Sequence, residues 1–240
     1  MTERILSSFY ADDSSYAVSD HLHRANKTFV TDLLQPILLK LEIFCSKWRI
    51  GLNPTKTWCM NFHLTKENNN TPHLYLQGEI LKYQKSFKFL GVTFDQQLSF
   101  KDHINDITTR CRKRLNLLKA IRGQEWGASA KTILYTYKTF IRPVLEYCCI
   151  LFAHASEDLL TKIQAIEIEA IKIAYRFPPW TTNTWCYKTT NIENVLQRLK
   201  TQAKKFLSKN KSCELIKTLI EDAKPSLTGH HSPVFKTLNW

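Results

Sequence analysis

Glycine is scarce in this sequence. Six glycines in 240 residues leave little material for flexible linkers. Cysteine is present but not organised: there are seven, an odd number, with no CxxC pair. That argues against a disulfide frame or a zinc site, and Cys148 and Cys149, adjacent in an apolar helical run, read as buried thiols in a reducing compartment. No apolar run approaches the roughly 20 residues of a membrane span. The stretch MTERILSSF lacks the long apolar core of a signal peptide. Neither zinc nor a membrane is therefore expected as a partner, and the chain reads as intracellular, nuclear or cytoplasmic.

Acidic residues are also short: 21 Asp and Glu stand against 34 Lys and Arg, a net charge of +13. The imbalance is uneven. Residues 1–95 carry 11 basic and 9 acidic residues, a net of +2, and residues 96–240 carry 23 and 12, a net of +11. Surplus lysine alone can serve solubility, but a basic half of this size points to nucleic acid.

What is abundant is aromatic surface, with 13 Phe, 9 Tyr and 6 Trp. The periodicity predicts a hairpin over 5–19 and an amphipathic helix over 34–48 with Pro36 in its first turn. Strands are expected over 56–62, 73–76, 80–83 and 86–95, the last with Gly91 inside it, where glycine marks a bulge or a close approach by another backbone. After Asp95 the spacing of apolar residues changes to threes and fours. Helices are expected over 104–121, 130–152 with a bend at Pro143, 159–175, 192–207 and 215–220, and the proline-containing tail from 225 reads as loose. The fold class is α+β, strands with one helix followed by helices only.

The segment FYADD places Asp12 and Asp13 together at the centre of the first hairpin. Two adjacent carboxylates repel each other, and a divalent cation relieves the cost. They are also ordinary turn residues, able to bond local backbone N–H groups. Further on, TTRCRKRLNLLKAIR puts Arg110, Lys113 and Arg114 opposite an apolar stripe of Ile104, Ile107, Cys111, Leu115, Leu118 and Ile121. Such a face can track phosphates without reading sequence, or it can be solvated charge.

FYADD, the run CSKWRIGLNPTKTWCMNF, the run FKFLGVTFDQQLSFKDHI and IRPVLEYC stand in one order along the chain. Together they resemble the reverse transcriptases (RNA-directed DNA polymerases) of jockey-like non-LTR retrotransposons, over about residues 5–210. The resemblance implies a partial palm, an antiparallel sheet with one helix, over 1–95. It implies thumb-like helices over 96–152, a helical extension over 153–222 and a loose tail over 223–240. It implies nucleotidyl transfer from a dNTP to a primer on an RNA template. Asp12 would bind Mg²⁺ or Mn²⁺ with Asp13 as companion, and Tyr10 and Ala11 would line the primer terminus. Lys56 would sit near the triphosphate, although a solvated lysine would look the same. Phe89, Leu90 and Gly91 resemble the primer grip, with one of the first two facing the core. Arg110, Lys113, Arg114, Lys119 and Arg122 would hold the RNA–DNA duplex. The family's further metal-binding aspartate and fingers precede FYADD by over a hundred residues, so the chain is expected to lack one side of the metal site. A non-catalytic nucleic-acid-binding module is the alternative expectation.

Overall fold

The computed structural model describes residues 4–19, 27–62, 71–123, 126–152, 155–213 and 216–217. The helix expected over 215–220 and the tail from 225 lie essentially outside them. The chain divides into two compact units. The first comprises 1–87 with 95–98, and the second 88–94 with 99–240.

In the first unit, strands β1 (Arg4–Tyr10) and β2 (Asp13–Ser19) form the expected hairpin. Helix α1 (Lys27–Trp48) begins seven residues before the expected start, so Pro36 lies in its interior rather than its first turn. An interior proline removes one helical hydrogen bond. Beside it, Gln35 ties the helix to the strand region: it donates through Nε2 to the carbonyl of Tyr75 and accepts through Oε1 from its N–H, both at 2.9 Å. Leu34 and Leu38 pack with Leu74, Leu76 and Leu81 in a small core.

The strands that follow are shorter than expected: β3 (Trp58–Cys59), β4 (Tyr75–Leu76), β5 (Glu79–Ile80) and β6 (Lys82–Tyr83). β4 and β5 form a hairpin, while β3 pairs with β6 in parallel. The expected single antiparallel sheet is therefore replaced, among the described residues, by separate two-stranded ladders. The cause is local. Asn53 caps a 3₁₀ turn over Pro54–Lys56, which takes up the start of the strand expected over 56–62. Gln77 and Gly78 both have positive φ (+52° and +78°), a tight turn that folds the next strands back at once.

β7 (Ser86–Phe89) and β8 (Val92–Asp95) form a two-residue hairpin, whose outer part, 88–94, belongs to the second unit. The single strand expected over 86–95 is thus two strands.

Helix α2 (Lys101–Arg122) packs on α6 (Glu157–Tyr175). Of the expected stripe, Ile104, Ile107, Cys111, Leu115 and Leu118 are buried, while Ile121, in the last turn, is exposed. Between them run α3 (Ala130–Thr136), a π-helical turn over Tyr137–Ile141, α4 (Arg142–Glu146) and α5 (Cys149–Phe152). The π turn accommodates Pro143: the Arg142 N–H reaches the Tyr137 carbonyl five residues back. The chain breaks instead at Cys148, whose φ is +52°, so Cys148 lies in a turn and only Cys149 is fully buried.

α7 (Asn183–Thr190) has no counterpart among the expected helices. It lacks an apolar stripe, and its start is marked by Thr182, whose hydroxyl accepts from the Trp185 N–H at 3.3 Å. α8 (Val195–Lys209) buries Val195, Leu199, Ala203 and Leu207 and leaves Phe206 exposed.

Glu167 is the polar centre of this unit and has no exposed surface. Its Oε1 accepts from Arg142 at 2.6 Å and from the Tyr137 hydroxyl at 3.2 Å. Its Oε2 accepts from the Tyr187 hydroxyl at 3.0 Å and from the Val195 N–H at 2.6 Å. One carboxylate thus joins α6, the π turn, α4, α7 and the first turn of α8. Burial, and then the Glu167 charge, push the Tyr137 hydroxyl well above its usual range. Among the described residues no helix is long and apolar enough to cross a membrane.

Candidate functional site

The first hairpin turns in two residues, Ala11 and Asp12, and Tyr10 pairs with Asp13 across its end. Ala11 takes a φ of +52°. Positive φ at the first central position is a requirement that glycine usually meets, and a side chain there costs of order 1–2 kcal/mol. The result is geometric: Asp12 sits on the tip and Asp13 opens the returning strand. Both carboxylates are exposed, as are Tyr10 and Phe9 at 65% each. Two adjacent, solvated carboxylates suit a hard divalent cation. Among the described residues no group of three or more Asp, Glu, His or Cys comes together that could hold a metal ion.

Lys56, in the same unit, is exposed and ends the 3₁₀ turn. The motif around it is structural in its local effect. The Asn53 side chain accepts from the Thr55 N–H at 3.0 Å, Pro54 opens the turn, and the Thr57 hydroxyl donates to the Asn53 carbonyl at 3.0 Å. This fixes the backbone at Lys56 and leaves its ammonium in solvent.

In the second unit, Leu90 and Gly91 are the two turn residues between β7 and β8, with φ of +46° and +84°. Gly91 is therefore not within a strand, and its positive φ is what the turn demands. The expected close approach is there, but by a side chain. A Cβ on Gly91 would stand 3.3 Å from Cε1 of Tyr147. The Tyr147 hydroxyl donates to the Leu90 carbonyl at 2.8 Å. On the other side of the turn the Thr93 N–H donates to Nδ1 of His103 at 3.3 Å. His103 is buried, its ring 5.5 Å from that of Phe152, and Nε2 has no described partner. Burial lowers the pKa of His103, with Arg110 and Lys88 adding to the effect and Asp106 opposing it. Phe89 is half-buried, and Leu90 is 37% exposed. The grip-like turn is thus held to the helices by Tyr147 and His103.

The five cations of α2 singled out by the sequence fare differently from one another. Arg110 pairs with Asp106 at 3.0 Å, an exposed i, i+4 pair of the kind worth little. Arg114 turns away from the solvent face, donates to the Phe140 carbonyl at 2.5 Å and lies over the Phe140 ring at 4.5 Å. Lys119 meets Glu169 at 2.7 Å. Arg122 donates to the carbonyls of Ala174 and Ala128. Lys113 is exposed with no described partner, and so is its neighbour Arg112. Arg112 falls outside the i, i+3, i+4 set of Arg110, Lys113 and Arg114. On the helical wheel Lys113 lies opposite the buried Cys111 and Leu115, and Arg112 lies on the flank of that buried face.

Tyr147 escapes the sequence pattern for another reason. In IRPVLEYC, Ile141 and Leu145 are core, Arg142 pairs with Glu167, and Glu146 receives Arg198 and the Gln202 amide. The motif is a set of fixings between helices, and nothing in its spacing shows that its tyrosine reaches a turn 57 residues earlier.

Comparison with known proteins returns one kind of relative. The chain is 24% identical over 173 residues to the probable RNA-directed DNA polymerase from transposon BS of Drosophila melanogaster, covering 72% of this chain and 19% of that protein. It is 24% identical over 195 residues to the RNA-directed DNA polymerase from mobile element jockey of the same species, covering 81% and 20%. To the probable RNA-directed DNA polymerase from transposon X-element it is 22% identical over 175 residues, covering 73% and 19%. The chain spans about a fifth of the length of the curated relatives it matches. No protein-family model matches it. No solved structure matches it. The similarity expected from the ordered motifs, to the polymerases of jockey-like elements, is present over most of the chain.

Proposed function

We propose, from the chain's kinship with the RNA-directed DNA polymerases of mobile elements, that it serves nucleotidyl transfer. In this reading it carries the carboxylate hairpin of such an enzyme and its hold on the template–primer duplex. The observation that carries the proposal is the two-residue turn presenting Asp12 and Asp13 side by side in solvent. Hard carboxylate oxygens suit Mg²⁺ or Mn²⁺, and one hairpin leaves most of an octahedral shell to water, substrate phosphates and further ligands. When bound, the metal supplies charge stabilisation for transfer of a nucleotide from a dNTP to a primer 3′ end.

The chain's own residues take these roles. Asp12 is the ligand and Asp13 its companion. Tyr10 and Ala11 line the primer terminus. Lys56 offsets negative charge on the departing pyrophosphate. The Phe89, Leu90 and Gly91 turn grips the primer backbone. Arg110, Lys113, Lys119 and Arg122, joined by Arg112, face the phosphates of the RNA–DNA duplex, and Arg114, held against Phe140, braces the helix that carries them. The first unit is then palm-like and the second thumb-like.

A second reading, a nucleic-acid-binding module without chemistry, is favoured by one observation: no third carboxylate joins Asp12 and Asp13 among the described residues. For the 240-residue chain by itself this reading governs, because two ligands from one tip do not complete a two-metal site.

The metal assignment is tested without turnover. Mn²⁺ titrated into isotopically labelled protein should broaden the amide resonances of residues 10–14 first, and Asp12→Asn with Asp13→Asn should abolish this. Broadening spread evenly over the surface acids would refute it.

A further inference from the structure

Beyond the duplex face of α2, the far end of the same helix meets an unusual surface. Trp126 is 73% exposed and Trp180 82% exposed. Two tryptophans left this open in one unit are costly to keep in water unless something covers them. Both are tied to the last turn of α6. Arg176, at its end, donates to the Gly123 carbonyl at 3.3 Å, and Gly123 is the residue against which Trp126 lies. A Cβ there would run into the Trp126 carbonyl oxygen and stand 3.4 Å from its ring. Lys172 donates to the carbonyl of Pro179 at 2.6 Å, which anchors the loop carrying Trp180. On the same end of α6, the rings of Tyr175 and Phe177 stack at 5.4 Å with an interplanar angle of 23°.

The charge at this surface is of one sign. Lys172 and Arg176 are bonded to main-chain carbonyls, so among the described residues no carboxylate neutralises them. The nearby acid Glu169 is already held by Lys119 at 2.7 Å.

From these observations we propose that Trp126, Trp180, Lys172 and Arg176 form a binding platform for single-stranded nucleic acid, separate from the duplex face of α2. The chemistry decides the class of ligand. Open aromatic faces take unpaired bases, because every base has a face to stack and in a duplex those faces are already covered. Cations bonded to the segments that carry the rings can meet the phosphates that link the bases. An apolar protein partner would leave Lys172 and Arg176 buried against it without counter-charge, which is unfavourable. The inference rests on the nucleic-acid-binding reading above and adds to it a place for the unpaired strand.

The test uses the full 240-residue chain and two labelled probes of equal length, a uridine oligonucleotide and a blunt RNA–DNA hybrid, read by fluorescence anisotropy. Trp126→Ala with Trp180→Ala should weaken oligonucleotide binding about 10-fold or more, since each stacked ring is worth of the order of 5- to 100-fold. Hybrid binding should be unchanged. Trp126→Phe with Trp180→Phe should restore part of the loss, and circular dichroism should be identical throughout because both side chains are exposed. Equal oligonucleotide affinity in wild type and the alanine variant overturns the platform and leaves the duplex reading standing. No binding of the oligonucleotide by the wild type, with the hybrid still bound, does the same. If neither probe binds, the nucleic-acid reading itself falls, and the platform with it. If the wild type self-associates through these rings and the alanine variant is monomeric, the surface is a protein contact and the proposal is wrong.

Discussion

The hydroxyl of Tyr147 donates a 2.8 Å hydrogen bond to the carbonyl of Leu90, and its ring lies 3.3 Å from where a Cβ on Gly91 would stand. The turn between β7 and β8 is thereby fixed to the helices by a residue far away in the sequence. Gly91→Ala meets two penalties, a φ of +84° and that ring. It should destabilise the protein by roughly 1–3 kcal/mol. Tyr147→Phe keeps the ring and removes the hydrogen bond, and should cost about 1 kcal/mol. Urea unfolding midpoints measure both, and a Gly91→Ala midpoint equal to wild type would show that the turn is not held as described.

His103 gives that attachment a pH dependence. Burial, together with Arg110 and Lys88, lowers its pKa, while Asp106 opposes. The folded state therefore favours the neutral ring, whose Nδ1 accepts from Thr93. The unfolded chain binds the proton more readily, so this contribution is fully present above the ordinary histidine pKa of about 6.5 and is lost as pH falls below it. Hydrogen exchange at the Thr93 amide should accelerate between about pH 6.5 and 5, beyond the intrinsic pH effect, relative to amides on the ordered face of α6. A constant ratio would contradict the role of His103.

Glu167 is where the second unit should be most sensitive. Its carboxylate accepts four described hydrogen bonds and is fully buried. Removing it leaves Arg142 buried at 8% side-chain exposure with only Glu146, at 3.9 Å, as a counter-charge. Glu167→Ala should cost about 3–5 kcal/mol. Pairing it with Arg142→Met should recover part of that loss, because the stranded charge is then gone. Additive losses in the double variant would mean the two residues act independently.

The sequence made some of this legible and concealed the rest for physical reasons. Helices α2, α6 and α8 of the second unit follow from apolar spacing, and the FYADD hairpin from β-prone residues on either side of two turn-forming aspartates. Pro36 misled because proline usually marks a first turn, whereas here the helix starts nine residues before it. Gly91 suggested a bulge or the approach of another backbone, but it stands in a turn, and a side chain from position 147 is what comes near. Arg114 looked like a phosphate ligand, yet its guanidinium lies over Phe140. Spacing along one helix cannot report what a neighbouring helix offers.

The carboxylate tip leads to a negative expectation. With two ligands at one turn and no third in a described cluster, the 240-residue chain should not extend a primer on an RNA template with Mg²⁺ and dNTPs. Primer extension by the pure chain that disappears in Asp12→Asn would overturn this, and would require ligands outside the described residues.

Binding to an RNA–DNA hybrid tests the central proposal most directly. The measurement is the slope of log affinity against log salt for a short hybrid. Arg112→Ala with Lys113→Ala removes two exposed α2 cations that have no described partner, and leaves the buried stripe intact. Each phosphate interaction removed should lower the magnitude of the slope by roughly 0.7–0.9, so the double variant should fall by about 1.4–1.8. Helicity by circular dichroism should not change. A hybrid bound with an unaltered slope, or not bound by the wild type at all, would mean that this face is only solvated charge and that the chain does not hold the duplex as proposed.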